Sequence, residues 1–245
     1  MKFAAIADIH GNSDALEAVL ADIAALGIAD VVNLGDHVSG PMEARRTANM
    51  LIARGFPSIA GDQDRRIVAL DGAGDRQRGD VRQLERRHLD WLASLPSTLV
   101  YREQVFLCHG TPRDDEAYWL DHITPEGAVG LACAQAVEAE VAGLGASLFL
   151  CGHSHLPRAV RMRDGRLVVN PGSVGLPAYR YAKPFPHVVE TGTPDACYAV
   201  LEQCRSGWAA AFRHVPYDSR RMADLARRAR LPEWANALTT GRIGS

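Results

Sequence analysis

The sequence predicts an α/β protein whose first half forms a parallel sheet and whose second half adds antiparallel strands. Three observations carry this. Apolar runs alternate with amphipathic helical segments through residue 61. Two hairpin signals, Asp164-Gly165 and Ser206-Gly207, mark the second half. Five apolar runs stop at an Asp or His beside a Gly.

Residues 2–8 (KFAAIAD) are mostly apolar, as in a strand covered on both faces. Residues 13–26 place Leu16, Val19, Leu20 and Ile23 on one helical face. Asn12 or Ser13 suits the N-cap, Asp14 the positive end of the helix dipole and Gly27 the stop. A strand at 31–35 follows. Pro41 opens a second helix that runs to Gly55, and a third strand, 56–60, ends at Gly61. Such alternation means a parallel sheet with helices on both faces.

Further along, residues 80–95 carry Val81, Leu84, His88, Trp91, Leu92 and Leu95 at helical spacing. The preceding DGAGDRQRGD, 71–80, reads as a surface loop. Residues 98–109 read as a strand pair turning at 102–104. Thr124-Pro125-Glu126 opens a helix to about 143, and a strand spans 147–151. Hairpins cover 158–170 and 196–215, and a helix covers 219–230. The proline-rich stretch 177–194 is an excursion, not a boundary. A single domain over 1–245 is expected.

The chain has 245 residues, 47% hydrophobic and 23% charged, enough for a large core. A formal net charge of −2 removes the bulk electrostatic case for binding a nucleic-acid backbone. The Arg-rich stretches 76–87 and 220–230 read as solvated helix faces. The 5 cysteines are odd in number and contain no CxxC, which suggests a reducing compartment. The first apolar run breaks at Asp8, too soon for a signal peptide, and no stretch approaches a membrane span. A cytoplasmic protein without a membrane partner is expected. Composition is silent on oligomeric state.

The strand ends carry the chemistry. They read Asp8-Ile9-His10-Gly11-Asn12, Gly35-Asp36-His37, Gly61-Asp62-Gln63-Asp64, Cys108-His109-Gly110 and Gly152-His153-Ser154-His155. In open α/β sheets, sites form beyond the C-terminal strand ends, so these residues should converge. Asp8 and His10 are two apart, as are His153 and His155, which on extended chain puts each pair on one side. Clustered carboxylates at buried strand ends need a counter-charge. Mixed oxygen and imidazole ligands suit Mn, Fe, Zn, Ni or Co. The number of ligand-type residues exceeds what one ion uses, so two ions with a bridging ligand fit better, as in sites for phosphoryl displacement.

The ordered set DIHGN, GDHVSGP, GDQD, CHG, GHSH and NPGS resembles the calcineurin-like metallophosphoesterases, most of all their small bacterial phosphodiesterase branch. The resemblance runs from Met1 to about Ser173. It implies a four-layer αββα sandwich, two mixed β-sheets flanked by helices. It implies two divalent transition-metal ions, manganese among the candidates. Asp8, His10 and His155 would hold one; His109, His153 and Asp62 of the third motif the other; Asp36 would bridge them. The implied activity is hydrolysis of a small phosphate ester, a phosphodiester before a monoester, by a water bridging the metals. The alternative is a metal-binding regulatory or scaffolding protein of this fold with weak or lost catalysis. An unrelated metal hydrolase such as an amidase lacks an identifiable acid or base here.

The third motif departs from the family's usual Gly-Asn-His-Asp. Asp62 replaces a neutral ligand, and lowers the formal charge of the centre from about +2 to about +1, so it should acidify water less. Gln63 replaces a His and can donate a hydrogen bond but not a proton, which penalises poor leaving groups. Gln63 and Asp64 are therefore the catalytic candidates, Asp64 as a residue that orients a ligand or loop. Arg65 or Arg66 would hold phosphate charge, and Asn12 would contact phosphate while capping its helix. His37 is expected to support rather than ligate, and His88 to pack. Tyr118, Trp119 and Asp114-Asp115 line the substrate cleft or a packed aromatic helix with equal claim.

Overall fold

The computed structural model describes residues 1–73 and 79–244. In chain order the elements are β1 (Lys2–Ile6), α1 (Ser13–Ala25), β2 (Val31–Asn33), α2 (Ala44–Arg54), α3 (Asp62–Gly72), α4 (Gly79–Gln83) and α5 (Arg86–Ser94). Then come β3 (Leu99–Tyr101), β4 (Val105–Leu107), β5 (Asp121–Ile123), β6 (Val129–Leu131), α6 (Ala134–Glu140), β7 (Leu148–Leu150), β8 (Arg158–Arg161) and β9 (Leu167–Asn170). The chain closes with β10 (Ala178–Tyr181), β11 (His187–Glu190), β12 (Ala196–Cys204), β13 (Gly207–Val215), α7 (Arg220–Arg228) and α8 (Pro232–Thr240).

Two mixed sheets dominate. The first has the order β13-β12-β1-β2, with β1 and β2 parallel; the second has β3-β4-β7-β9-β8, with β4, β7 and β9 parallel. Side-chain alternation explains the layering. Phe3, Ala5 and Ala7 turn inward and meet Leu107, Leu148, Leu150 and Val169 of the second sheet in one apolar core. Ala4 and Ile6 turn outward onto Leu16, Val19 and Ile23 of α1. Phe106, Phe149 and Val168 cover the other outer face with Trp119 and with Val137 of α6. The result is the αββα sandwich that the family resemblance implies.

Several expected elements differ. Residues 56–60 form no strand; a single bridge, Asn33 to Ser58, continues the first sheet. The expected helix at 80–95 is two, α4 and α5, because Glu85 is the N-cap of α5 and its backbone N–H donates to His88 Nδ1 at 2.9 Å. His88 thus packs and caps at once. Residues 124–143 are not one helix. Gly127, at φ 84°, closes a turn with its N–H on Thr124 O, producing the β5–β6 hairpin and leaving only the short α6. Turn chemistry there overrides apolar spacing. The excursion at 177–194 contains the β10–β11 hairpin. Helices α3 and α8 were not anticipated, although Pro232 and the left-handed Gly241 are the usual signals for a helix start and stop. Of the expected loop at 71–80, residues 74–78 lie outside the described residues. All 5 cysteines are free. No helix among the described residues is long and apolar enough to cross a membrane.

Helix α1 is tied to the first sheet through Asp22, which accepts from Tyr198 Oη at 2.6 Å and from Arg213 Nε and Nη2 at 2.6 and 2.8 Å. The Arg213 hydrogen bond holds the Asp22 carboxyl below its ordinary value. A carboxylate held low in the folded state stabilises at pH above its unfolded pKa of about 3.9, and that contribution is lost as pH falls. Asp22→Asn should cost about 1 kcal/mol at neutral pH, since Arg213 is partly exposed. The gap from wild type, read from urea midpoints, should shrink below about pH 4; an equal gap at pH 3 and pH 7 would contradict this.

Candidate metal centre

The parallel strands end at one edge of the sandwich, and their loops meet there. Every strand stops two or three residues short of its ligand-type side chain. Strand β1 ends at Ile6 before Asp8, β2 at Asn33 before Asp36, β4 at Leu107 before His109, and β7 at Leu150 before His153. Asp62 instead opens α3, whose positive end faces it. The loops after β2 and before α3 touch at backbone level: a Cβ on Gly35 would lie 2.5 Å from Gly61 N, and one on Gly61 would lie 2.2 Å from Asp36 Oδ1.

The side chains converge by a route the extended-chain argument did not foresee. Asp8, His10, Asp36, His153 and His155 all take left-handed backbone conformations, with φ of 54°, 50°, 54°, 68° and 59°. Such residues cost roughly 1–3 kcal/mol each and persist only where the surrounding structure imposes them. The pairs 8/10 and 153/155 therefore share a side because of turns, not strands.

Three overlapping groups result. Asp8, His10 and His155 form one; Asp62, His109 and His153 another; Asp8, Asp36 and His109 link them, and within each group the ligand atoms lie within 4.8 Å of one another. Asp36 Oδ2 sits 3.8 Å from His10 Nε2 and 3.6 Å from His109 Nε2, between the first two groups. All seven residues are buried.

Outer contacts orient each ring. His109 Nδ1 donates to Leu34 O at 2.7 Å, His155 Nδ1 to Leu176 O at 2.7 Å, and His153 Nε2 to Glu116 O at 2.9 Å. A carbonyl only accepts, so in each neutral ring the other nitrogen presents a lone pair to the cluster. His10 Nδ1 is held by Ser39 Oγ at 2.7 Å, and its Nε2 faces His155 Nε2 at 3.1 Å. The Ser39 hydroxyl can donate or accept, so the two nitrogens either share a hydrogen bond or, with both unprotonated, face a common cation. Donors about 2.1 Å from a shared ion lie roughly 3.0–3.4 Å apart in octahedral or tetrahedral sites, close to what is seen. Asp62 Oδ1 and His109 Nε2 are buried without a hydrogen-bond partner. The donor set fits divalent transition metals.

The electrostatics agree. Burial, with added repulsion from Asp62 and Asp64, pushes the Asp36 carboxyl up to about 6 against the pull of His109. Burial and the neighbouring His155 push His10 down to about 3. Burial opposes charge on His109 too, but Asp36, Asp62 and Asp8 hold it well above its ordinary value. Carboxylates that draw protons onto an adjacent imidazole are a site arranged for positive charge.

A family model described as the calcineurin-like phosphoesterase superfamily domain matches residues 1–193. The chain belongs to the calcineurin-like phosphoesterase superfamily. It is 24% identical to an uncharacterized protein of Methanocaldococcus jannaschii over 94% of each chain. It is similar to the crystal structure of a metallophosphoesterase from Sphaerobacter thermophilus, with 25% identity, a TM-score of 0.75, and coverage of 98% of this chain and 100% of that one. A putative diadenosine tetraphosphatase shares the fold at 14% identity and a TM-score of 0.52, over 86% of this chain and 92% of that one.

In this calcineurin-like phosphoesterase the remaining expected site residues fall differently. Asp64 is buried and accepts from the backbone N–H of Asp36, His37 and Gly61 and from His37 Nδ1, at 2.8, 3.1, 2.9 and 2.7 Å. It ties two loops together and does not line the cavity beside the cluster. Gln63 does line it; its N–H donates to Asp36 Oδ1 and its Nε2 to Asp62 Oδ2, at 2.9 and 2.7 Å. Asn12 spends its amide inside the protein. Oδ1 caps α1 on Ala15 N, and Nδ2 donates to Gly175 O and Tyr217 Oη. Arg65 points to Asp115 and Glu116, away from the cavity. Arg66, one residue on, reaches Asp62 Oδ2 at 3.3 Å.

Sequence reasoning missed a supporting layer. Asn170 donates to Gly152 O and Ser154 Oγ, and Ser154 donates to the buried Asp121. Tyr179 Oη donates to His153 O at 3.0 Å while its ring packs 4.5 Å from that of His155. Tyr118 lies beside His153 and bonds Tyr179 and His187, so it belongs to this layer rather than to a helix. Of these, Asn170 and Ser154 carried a signal, as parts of NPGS and GHSH, and Tyr118 as a cleft or packing candidate. Replacing Asp64 by Asn removes an acceptor from this scaffold and should weaken divalent-metal affinity by about ten- to a hundredfold in a metal titration. Unchanged affinity would deny Asp64 its positioning role.

Proposed function

We propose that this chain is a dinuclear metal-dependent phosphoesterase that hydrolyses small phosphodiesters. The carrying observation is the pair of ligand groups, Asp8-His10-His155 and Asp62-His109-His153, with Asp36 between them. Each would hold one divalent ion. Ions bound there would acidify water and neutralise charge in an in-line displacement at phosphorus.

The protein's own groups shape the rest. Asp62 adds a negative charge where the family usually carries a neutral Asn; Arg66 lies against it but is shared with Glu116 at 3.0 Å, so the expected loss of positive charge is offset only in part. Gln63 stands beside the cluster as a donor without a transferable proton, so a leaving group must depart with little acid assistance. Arg180 is the sole Lys or Arg among the described residues of the cavity wall, and it is paired with Glu233 at 2.9 Å. One partly neutralised cation suits a monoanionic diester better than a dianionic monoester.

Asp62 and Gln63 also motivate a second reading, a metal-binding scaffold without chemistry. The two separate in one experiment. Metal-loaded protein should hydrolyse an activated aryl diester, lose that activity to a chelator, and regain it with Mn²⁺. Asp36→Asn should cost several kcal/mol of transition-state stabilisation, on the order of a thousandfold in rate. An unactivated alkyl diester should turn over far more slowly than the aryl one. Equal rates would contradict the role given to Gln63, and bound metal with no turnover on any ester would favour the scaffold.

A further inference from the structure

The cavity beside the metal-ligand cluster has a second, apolar side. Leu176, Tyr181, Trp234 and Ile243 line it, and its volume is about 260 Å³. Trp234 and Ile243 come from α8 and the residues behind it, beyond the stretch 1–193 that matches the family model. Trp234 packs against the apolar clusters of the C-terminal helices and also presents part of its surface to this cavity.

Trp234 is fixed rather than floppy. Its ring sits on Gly40, where a Cβ would lie 2.6 Å from Cη2, and stands edge-on to His10 at 6.0 Å and 82°. The helix that carries it is pinned at its end: Gly192 N donates to Gly241 O at 3.0 Å, and Ile243 N to Glu190 Oε1 at 2.8 Å. The ring remains partly exposed. Tyr181 stands edge-on to His153 at 5.7 Å and 87°. On the cavity wall Trp234 thus stands at the Asp8-His10-His155 side, where Tyr179 also packs against His155, and Tyr181 stands at the Asp62-His109-His153 side. Rigid rings give contact area at low entropic cost, and stacking rewards flat partners whatever their hydrogen-bonding pattern.

We propose that Trp234 and Tyr181 select phosphate esters bearing one flat aromatic group, an arylmethyl group or a nucleoside. This rests on the phosphoesterase reading above. A cavity below the roughly 300–1,000 Å³ of drug-sized pockets accommodates a phosphate and one ring system rather than two.

The test uses ligands of equal charge and similar bulk that differ in flatness. Metal-loaded protein is titrated calorimetrically with the monoanionic methyl esters of benzylphosphonate and cyclohexylmethylphosphonate, and a thymidine methylphosphonate forms the nucleoside arm. The benzylphosphonate ester should bind about tenfold tighter than its saturated counterpart. The nucleoside arm, tighter or weaker than benzyl, assigns the source of the ring. Trp234→Leu should abolish the difference and Trp234→Phe should keep it. Should Trp234→Leu fail to fold, Tyr181→Leu carries the same test. Equal binding of the flat and saturated ligands overturns the proposal, as does a preference that survives Trp234→Leu undiminished. Turnover of methyl benzyl and methyl cyclohexylmethyl phosphates, whose leaving groups are alike in basicity, should show the same preference in KM. Selective binding with no turnover of any ester supports the aromatic site and overturns the assigned reaction instead.

Discussion

Three buried carboxylates and four buried imidazoles share one edge of the sandwich, and their mutual electrostatics govern the rest of the structure. Burial, against the pull of a charged His109, pushes the Asp36 carboxyl up to about 6, and burial beside His155 pushes His10 down to about 3. Desolvated charge of this density is costly unless it is paired. Five of the seven residues also sit in left-handed backbone. Both costs fall on the same few loops, so the remaining fold must hold those loops in place.

It does so in two layers. The inner one is the sandwich itself: parallel neighbours β1 with β2, and β4 with β7, deliver their loops to one edge. The outer one is hydrogen-bonded. Asp64 joins the loops at Asp36 and Gly61, Ser173 Oγ donates to Asp8 O, Asn170 braces Gly152, and Tyr179 braces His153. The outward ring nitrogens of His109, His153 and His155 are committed to carbonyls, which in the neutral rings leaves the inward nitrogens as lone-pair donors, and Ser39 holds the outward nitrogen of His10. The C-terminal helices then add what the core lacks, an apolar wall bearing Trp234.

The ligand-type residues were legible because polar residues at the ends of apolar runs are conspicuous, and because Gly beside Asp or His marks tight backbone. Their convergence was legible for a partly wrong reason. The geometry at Asp8 and His10 is a pair of left-handed turns beyond β1, which periodicity does not encode. The helix expected at 124–143 failed because Gly127 admits a turn that apolar spacing cannot register. Arg66 was legible only as a neighbour of Arg65; which of the two reaches Asp62 depends on the phase of α3. Trp234 was illegible as a residue of the cavity wall. An aromatic in a late helix looks like any core residue until the fold brings it beside His10.

The central claim is that this cluster exists to bind two divalent ions. A crystal grown with Mn²⁺ and measured near the manganese absorption edge tests it most directly. The account predicts two anomalous peaks, one among Asp8, His10 and His155 and one among Asp62, His109 and His153, with Asp36 touching both. A cluster free of anomalous density at saturating Mn²⁺, or a single ion that leaves either group unliganded, would contradict it.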